Sequence, residues 1–107
     1  MLSEEELKIL LRNYFFNKYQ VNVKVDIQPV IIDDHYEFLG DAIICLSSTS
    51  DNFELSDFDV INIFNECYSD QNYYAFDSKS LITMQNDKLK FKGIEFKLNE
   101  KVNMRSI

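Results

Sequence analysis

The sequence predicts an α+β fold in a single domain, with a mostly antiparallel sheet packed against two helices in the order α-β-β-α-β-β and one further strand possible. Three observations predict it. The spacing of apolar residues is helical near the N-terminus and alternating in most later segments. Two Ser-x-x-acid signatures mark the starts of two helices. The length of 107 residues, 46% of them apolar, suits one domain over residues 1–107 with its own core.

The first helix is predicted over residues 4–19. Ser3 and Glu6 have the spacing of a capping box, and Leu2 and Leu7 flank the helix start as a hydrophobic staple. Glutamates fill the first turn, where the helix dipole favours negative charge. The apolar face that this helix presents to the core is formed by Leu7, Leu10, Leu11, Tyr14, Phe15 and Tyr19.

Two strands are predicted next. Residues 21–27 alternate between apolar and polar types, which is typical of a half-buried strand. Pro29 interrupts the alternation and favours either a bulge or an edge position, because proline cannot donate to a ladder. Asp33 and Asp34 are predicted to form a turn. The run 36–46 becomes wholly apolar in its second half, which favours a central strand covered on both faces.

The second helix is predicted to follow a polar loop at residues 47–52. Ser56 is its predicted cap, Asp59 occupies the third helical position, and Leu55 with Val60 forms the staple. The buried face of this helix is expected to consist of Val60, Ile61, Phe64, Cys67 and Tyr68.

The remainder of the chain is predicted to form strands over residues 73–76, 81–84 and 89–98. Asn86 and Asp87 are the predicted hairpin turn. The parity of the apolar residues changes at Gly93. That change is consistent with either a glycine bulge within one strand or a tight turn between two strands.

Both cysteines lie in apolar stretches, so Cys45 and Cys67 are predicted to be buried, reduced thiols rather than a disulfide or a zinc site. The N-terminus opens with acidic residues instead of a basic and then apolar leader. No apolar segment approaches the length of a membrane span. We therefore expect a cytoplasmic protein that does not associate with membranes.

Residues that could support catalysis are few. His35 is the single histidine, and it follows Asp33 and Asp34, so that the three side chains could hold a divalent ion or could simply form an acidic turn. Neither glycine belongs to a phosphate-binding loop. We therefore expect no catalytic residue, no bound metal and no cofactor, and a protein that is not an enzyme.

The distribution of charge is the most informative feature of the sequence. Residues 26–77 contain twelve acidic residues and no lysine or arginine, whereas residues 1–25 carry a net charge of +1 and residues 78–107 a net charge of +4. The acidic segment contains the most apolar predicted strand, so its carboxylates must be displayed on a folded surface. They either maintain solubility or complement a basic partner. The stripe of Lys88, Lys90 and Lys92 alternates with apolar residues, which favours a solvated strand face.

A basic partner is the favoured interpretation of the acidic segment. Proteins that handle nucleic acids grip phosphates with lysine and arginine, and a rigid display of carboxylates can occupy such a site. Direct binding of nucleic acid by this chain is disfavoured because both carry negative charge. The predicted partner-binding acids are Asp33, Asp34, Glu37, Asp41, Asp51, Glu54, Asp57, Asp59, Glu66 and Asp70.

In its size, its acidity and its lack of a catalytic motif, the chain is similar to small bacterial immunity proteins that neutralise toxin nucleases. It is similar in the same respects to acidic phage inhibitors of the anti-CRISPR or anti-restriction type. The resemblance implies a non-enzymatic inhibitor that blocks a basic, nucleic-acid-handling protein, first of all a toxin nuclease. A small scaffold or subunit with an apolar partner contact is the remaining alternative, and its acids would only maintain solubility.

Overall fold

Two helices and two antiparallel three-stranded sheets form the fold, which confirms the α+β class and the order α-β-β-α-β-β. The computed structural model describes residues 1–34 and 37–101, with side chains throughout except at positions 32–34 and 37–40. One sheet has the strand order β1-β6-β5 and the other β2-β3-β4. The elements are β1 (Leu2–Ser3), α1 (Glu4–Tyr19), β2 (Lys24–Asp34), β3 (Glu37–Ser47), β4 (Asn52–Leu55), α2 (Asp57–Cys67), β5 (Tyr73–Gln85) and β6 (Lys88–Glu100).

Both helices begin where the capping signatures predict. The hydroxyl of Ser3 accepts a hydrogen bond from the amide of Glu6, and the Glu6 carboxylate accepts one from the Ser3 amide, both at 3.2 Å. Ser56 and Asp59 repeat the arrangement at 3.1 and 3.0 Å. Each box satisfies two backbone donors that have no partner within the helix, so the start of each helix is set locally.

The hairpin of β2 and β3 keeps one register along its whole described length. Pro29 pairs with Ala42 without a bulge, and β2 is an edge strand, so the edge alternative for Pro29 is the correct one. The predicted turn at Asp33 and Asp34 is wrong, because both residues continue the ladder of β2. The ladder continues through Asp33, which pairs with Phe38, and Asp34, which pairs with Glu37.

The central position predicted for β3 is confirmed, since it lies between β2 and β4. The two faces of β3 are buried to different extents, because Ile44 and Leu46 are buried whereas Ile43 and Cys45 are half-buried. The predicted polar loop is shorter than residues 47–52, because Ser47 belongs to β3 and Asn52 begins β4. The four residues of β4 were not predicted.

The second hairpin joins β5 to β6 through the predicted turn. Asn86 and Asp87 have φ values of 51° and 61°, the left-handed conformation that a two-residue hairpin turn requires. The two separate strands predicted over 73–76 and 81–84 are one strand, because the polar residues between them pair with β6. Register shifts interrupt its pairing with β6 between Ala75 and Asp77 and between Leu81 and Ile82.

Gly93 lies within a bulge rather than a turn. Leu81 pairs with Gly93 and Ile82 pairs with Phe91, which leaves Lys92 as the extra residue of β6. The same glycine lies against β1, since Ser3 pairs with it and an added Cβ would come within 2.3 Å of the carbonyl oxygen of Leu2. Glycine therefore permits the close approach of β1 to β6.

The core joins both sheets and both helices. The predicted buried face of α2 is only partly correct, because Val60 is buried but Cys67 and Tyr68 are exposed, and Ile63 takes their place in the core. The helix ends at Cys67, so its last turn extends past the core. The buried cluster contains Leu7, Leu11, Val23, Val25, Ile27, Ile44, Leu46, Leu55, Val60, Ile63, Phe91 and Ile94.

The molecule is flat and extended, with dimensions of 54 × 40 × 19 Å and a radius of gyration of 15.7 Å. A typical domain of this length has a radius of gyration of about 13 Å. The two long hairpins account for the extension, since β2 and β3 pair for seven positions beyond Ile27 and Ile44. Within the described residues, no helix is long and apolar enough to cross a membrane.

Candidate functional site

The sheet of β2, β3 and β4 turns one face to the core and the other to solvent. Val25 and Leu46 pair on the buried face. Residues directly opposite each other share a face of a sheet, so Asp26, Cys45 and Glu54 form one row across the outer face. Asp26 and Glu54 are exposed, which places acids at both margins of this face.

The far part of the β2–β3 hairpin carries the first predicted site residues. Asp33 pairs with Phe38 and Asp34 pairs with Glu37 in the backbone ladder, and the side chains of these residues lie outside the described part. Asp41 is described and half-buried, and its carboxylate accepts a hydrogen bond of 2.8 Å from the amide of Ala42. His35, the metal-ligand candidate, is outside the described residues.

Three carboxylates from different elements, those of Asp41, Asp57 and Asp77, influence one another electrostatically. Partial burial raises the pKa of Asp57, and the negative charges of Asp41 and Asp77 raise it further. Asp57 is the first residue of α2, whereas Asp41 belongs to β3 and Asp77 to β5. Lys97, at 3.7 Å from Asp77, offsets one of the three charges, and both side chains of that pair are exposed. The group therefore retains an excess of negative charge.

Asp77 was not among the predicted site residues. The sequence signal available for it was its membership of the basic-free segment 26–77, which does not distinguish it from other acids. Its closeness to Asp57 depends on the packing of β5 against α2. That packing is fixed in part by Asn65, whose side chain donates to the carbonyl of Ala75 at 2.8 Å and accepts from its amide at 2.6 Å.

Two predicted site residues are engaged within the fold. The hydrogen bonds from the backbone amide and the side chain of Ser56 hold the pKa of Asp59 below its ordinary value. Glu66 accepts hydrogen bonds of 2.9 Å from both Lys18 and Tyr14, and these bonds lower the pKa of Glu66. Asp59 caps α2 and Glu66 links α2 to α1, so both carboxylates already have structural partners.

The remaining predicted site residues are exposed in loops. Asp51 precedes β4, where its backbone carbonyl accepts a 2.8 Å hydrogen bond from the amide of Ser48. Asp70 lies between α2 and β5. Asp41 and Asp77 thus lie near enough to raise the pKa of Asp57, whereas Asp51, Glu54 and Asp70 belong to other loops and strands.

Groups that could support catalysis are few in the part of the chain that the structure describes. There, no group of three His, Cys, Asp or Glu side chains could hold a metal ion. A groove of about 750 Å³ lies between the end of α1 and the loop before β4, and Asp51 is the single carboxylate in its lining. That groove therefore offers no carboxylate pair for general acid–base chemistry.

The cysteines are placed differently from the prediction. Cys67 is exposed and Cys45 is half-buried, so the prediction of two buried thiols is wrong. Both are free thiols, as predicted. Partial burial and the nearby charge of Glu66 raise the pKa of Cys67, which lowers its thiolate fraction and its reactivity.

The basic part of the sequence forms a different surface. Lys88, Lys90 and Lys92 are exposed on β6, which confirms that this stripe is a solvated strand face. On the same hairpin Lys79 pairs across the ladder with Glu95.

Comparison with protein-family models, with curated proteins and with solved structures gave no match to this chain.

Proposed function

We propose that this protein is a non-enzymatic inhibitor that binds a basic, nucleic-acid-handling protein and blocks it, as an immunity protein does with a toxin nuclease. The observation that carries the proposal is the excess of uncompensated carboxylates. Among the described residues of segment 26–77, only Glu66 and Asp77 lie within 4.0 Å of a basic side chain. Of the other acids whose side chains are described, Asp59 caps α2, whereas Glu54, Asp57 and Asp70 are left to interact with solvent or with a partner.

Electrostatics give such a surface a defined role. An acidic surface raises the rate of encounter with a basic protein and disfavours acidic or nucleic-acid partners. Carboxylates presented by a sheet face and a capped helix are held more rigidly than those of a disordered acidic tail. A rigid set of carboxylates can occupy a phosphate-binding site without being cleaved as a nucleic acid would be.

A second candidate function is a subunit or scaffold with an apolar partner contact. The observation that favours it is the exposure of large apolar side chains, among them Ile9 at 48% and Phe16 at 51% on α1. These two residues are seven positions apart and therefore lie on the same face of the helix. A contact formed by that face would depend little on salt, which separates the two candidates.

The test begins with capture of partners by the immobilised full chain at low and at high salt. We expect a basic nucleic-acid-handling protein to be retained at low salt, released at high salt and inhibited in a stoichiometric complex. Its binding should weaken with salt because exposed charges are screened beyond about 8–10 Å at physiological ionic strength.

Charge reversal then separates the acidic segment from the rest of the surface. Lysine replacements at Asp33, Asp34 and Asp57 are tested singly, and those within the contact should cost about 1–5 kcal/mol of binding free energy. Glu5→Lys, in the first turn of α1, is the control because Glu5 is exposed and lies outside the segment. If partner binding changes neither with salt nor with any of the charge reversals, the inhibitor proposal is refuted and the subunit or scaffold function is favoured.

A further inference from the structure

Three aromatic side chains line the groove between the end of α1 and the loop before β4. The ring centroids of Phe15 and Tyr19 are 5.8 Å apart, and the centroid of Phe53 is 5.7 Å from that of Phe15. Tyr19 and Phe53 remain 53% and 40% exposed. The groove has a volume of about 750 Å³, within the range of about 300–1,000 Å³ that is typical of ligand sites. We call Phe15, Tyr19 and Phe53 the aromatic wall of the groove.

The backbone places the aromatic wall from two sides. Phe15 and Tyr19 are four residues apart and share a face of α1, which ends where Gln20 adopts a left-handed conformation with φ 55°. Phe53 pairs with Leu46 across the ladder of β3 and β4, so both side chains lie on the same face of the sheet. Since Leu46 is fully buried, this is the face that the sheet turns to the core. Helix and sheet thus bring the three rings into contact.

The lining of the groove carries negative charge. It contains the carboxylate of Asp51 and no lysine or arginine. Two hydrogen bonds close the loop that carries Asp51, one of 2.8 Å from the Ser48 amide to the Asp51 carbonyl and one of 3.2 Å from the Asp51 amide to the Ser48 hydroxyl. The end of α1 belongs to the same lining, and the last carbonyl groups of a helix add partial negative charge. The groove therefore favours a cationic group that can also contact aromatic rings.

A cation of the chain itself already lies against Tyr19. The Nζ atom of Lys18 is 5.3 Å from the ring centroid of Tyr14, 5.7 Å from that of Tyr19 and 2.9 Å from the Glu66 carboxylate. The charge of Lys18 is therefore offset by Glu66. Asp51 has no such counterpart, because no basic side chain of the described residues lies within 4.0 Å of its carboxylate. The groove repeats the combination of ring and carboxylate but leaves the cation to another molecule.

We propose that this groove receives an arginine side chain of the basic partner, which stacks on the aromatic wall and pairs with Asp51. The inference rests on the proposed function and locates one anchor of the contact. Arginine fits because its planar guanidinium pairs with a carboxylate through two hydrogen bonds and also stacks on aromatic rings. A second copy of this chain is disfavoured as the occupant because each copy has a net charge of −7.

The test uses the full chain labelled with ¹⁵N and the probe peptide acetyl-Arg-Gly-Arg-amide. Its lysine analogue is the control for the guanidinium group, and its citrulline analogue, which has nearly the same shape without the charge, is the control for charge. We expect the arginine peptide to shift the amide resonances of residues 19–23 and 48–53, which line the groove. It should bind more tightly than the lysine peptide, and the citrulline peptide should cause no shifts.

Matched variants separate the groove from other surfaces. Tyr19→Ala should weaken binding of the arginine peptide about threefold to tenfold, because the guanidinium loses a stacking face. Tyr73→Ala is its control, since Tyr73 is also 53% exposed but lies on β5 outside the groove, and should change binding less than about twofold. Asp51→Asn should weaken binding about threefold, whereas Asp26→Asn, at an exposed acid on the outer face of the sheet, should leave binding unchanged. Urea unfolding of each variant verifies that it is folded.

The outcomes bear on the two proposals separately. Shifts that map to other surfaces, or losses with Tyr73→Ala and Asp26→Asn that equal those of the groove variants, would overturn the groove as the site while leaving an acidic inhibitor in place. Equal binding of the lysine peptide would overturn the choice of arginine, and equal binding of the citrulline peptide would show that the groove selects shape and not charge. Absence of binding up to millimolar concentration would overturn the inference, and capture of a basic partner released by salt would still support the proposed function.

Discussion

Replacement of Gly93 by Ala is expected to destabilise the protein, because the added methyl group would overlap the backbone of β1. A Cβ at this position lies 2.3 Å from the carbonyl oxygen of Leu2 and 3.3 Å from the Cα of Ser3. Nonbonded carbon contacts need about 3.5 Å, so β1 must move by about an ångström. Overpacking of this kind costs about 1–3 kcal/mol, and displacement of Ser3 from its capping position adds about 1 kcal/mol.

The expected loss of about 2–4 kcal/mol is measured by urea unfolding followed by circular dichroism. Lys92→Ala is the matched control, since Lys92 is the exposed extra residue of the same bulge and its truncation should cost less than about 0.5 kcal/mol. Ser3→Ala should cost less in the Gly93→Ala background than alone, because the cap is already displaced. A loss below about 0.5 kcal/mol for Gly93→Ala, or full additivity with Ser3→Ala, would refute the close contact of β1 with β6.

Three further predictions concern the thiols, Asn65 and Asp57. In the folded protein, Cys67 should be alkylated before Cys45, because Cys67 is exposed and Cys45 is half-buried, and access outweighs the raised pKa of Cys67. Mass spectrometry of timed samples measures both rates, and equal rates would contradict this placement. Asn65→Ala should cost about 1–3 kcal/mol in urea unfolding, because the amide and carbonyl of buried Ala75 lose their partners. A cost near zero would mean that Asn65 does not hold β5 against α2. Asp57→Asn should raise the free energy of unfolding at pH 7 but not at pH 3, measured by the same method.

Local chemistry made the helices predictable. Ser3 with Glu6 and Ser56 with Asp59 form their boxes within four consecutive residues, so no tertiary information is needed to place the helix starts. The same holds for the hairpin turn at Asn86, whose residue type tolerates the left-handed conformation. Helix starts and hairpin turns that depend only on residues close in sequence can therefore be predicted from the sequence alone.

The missed features depend on distant parts of the chain. β1 has two residues, too few to show an alternating pattern, and exists because Leu2 and Ser3 pair with β6. The polar middle of β5 is strand because β6 faces it, although its residues do not favour strands. Asp77 joins the candidate site through the same long-range packing, and no spacing along the sequence relates it to Asp57. The acidic segment was therefore recognisable, but the place where its charges converge was not.

The raised pKa of Asp57 makes the free energy of unfolding depend on pH. Burial and the charges of Asp41 and Asp77 raise its pKa above the ordinary value of 3.8, with Lys97 the opposing charge beside Asp77. A carboxyl whose pKa is raised on folding favours the folded state below its unfolded pKa, and this contribution is lost as the pH rises through the folded pKa. At pH 7 the ionised Asp57 therefore opposes folding, so Asp57→Asn should be more stable there and equally stable at pH 3.

Asp59, two residues along α2, provides the opposite case. Its pKa is lowered by the hydrogen bonds from Ser56, so its contribution is present above its ordinary pKa of 3.8 and is lost as the pH falls through the lowered value. Asp59→Ala should thus destabilise the protein at pH 7 and have little effect in strong acid. If Asp57→Asn were instead destabilising at pH 7, the charges of Asp41 and Asp77 would not act on Asp57 in the folded state.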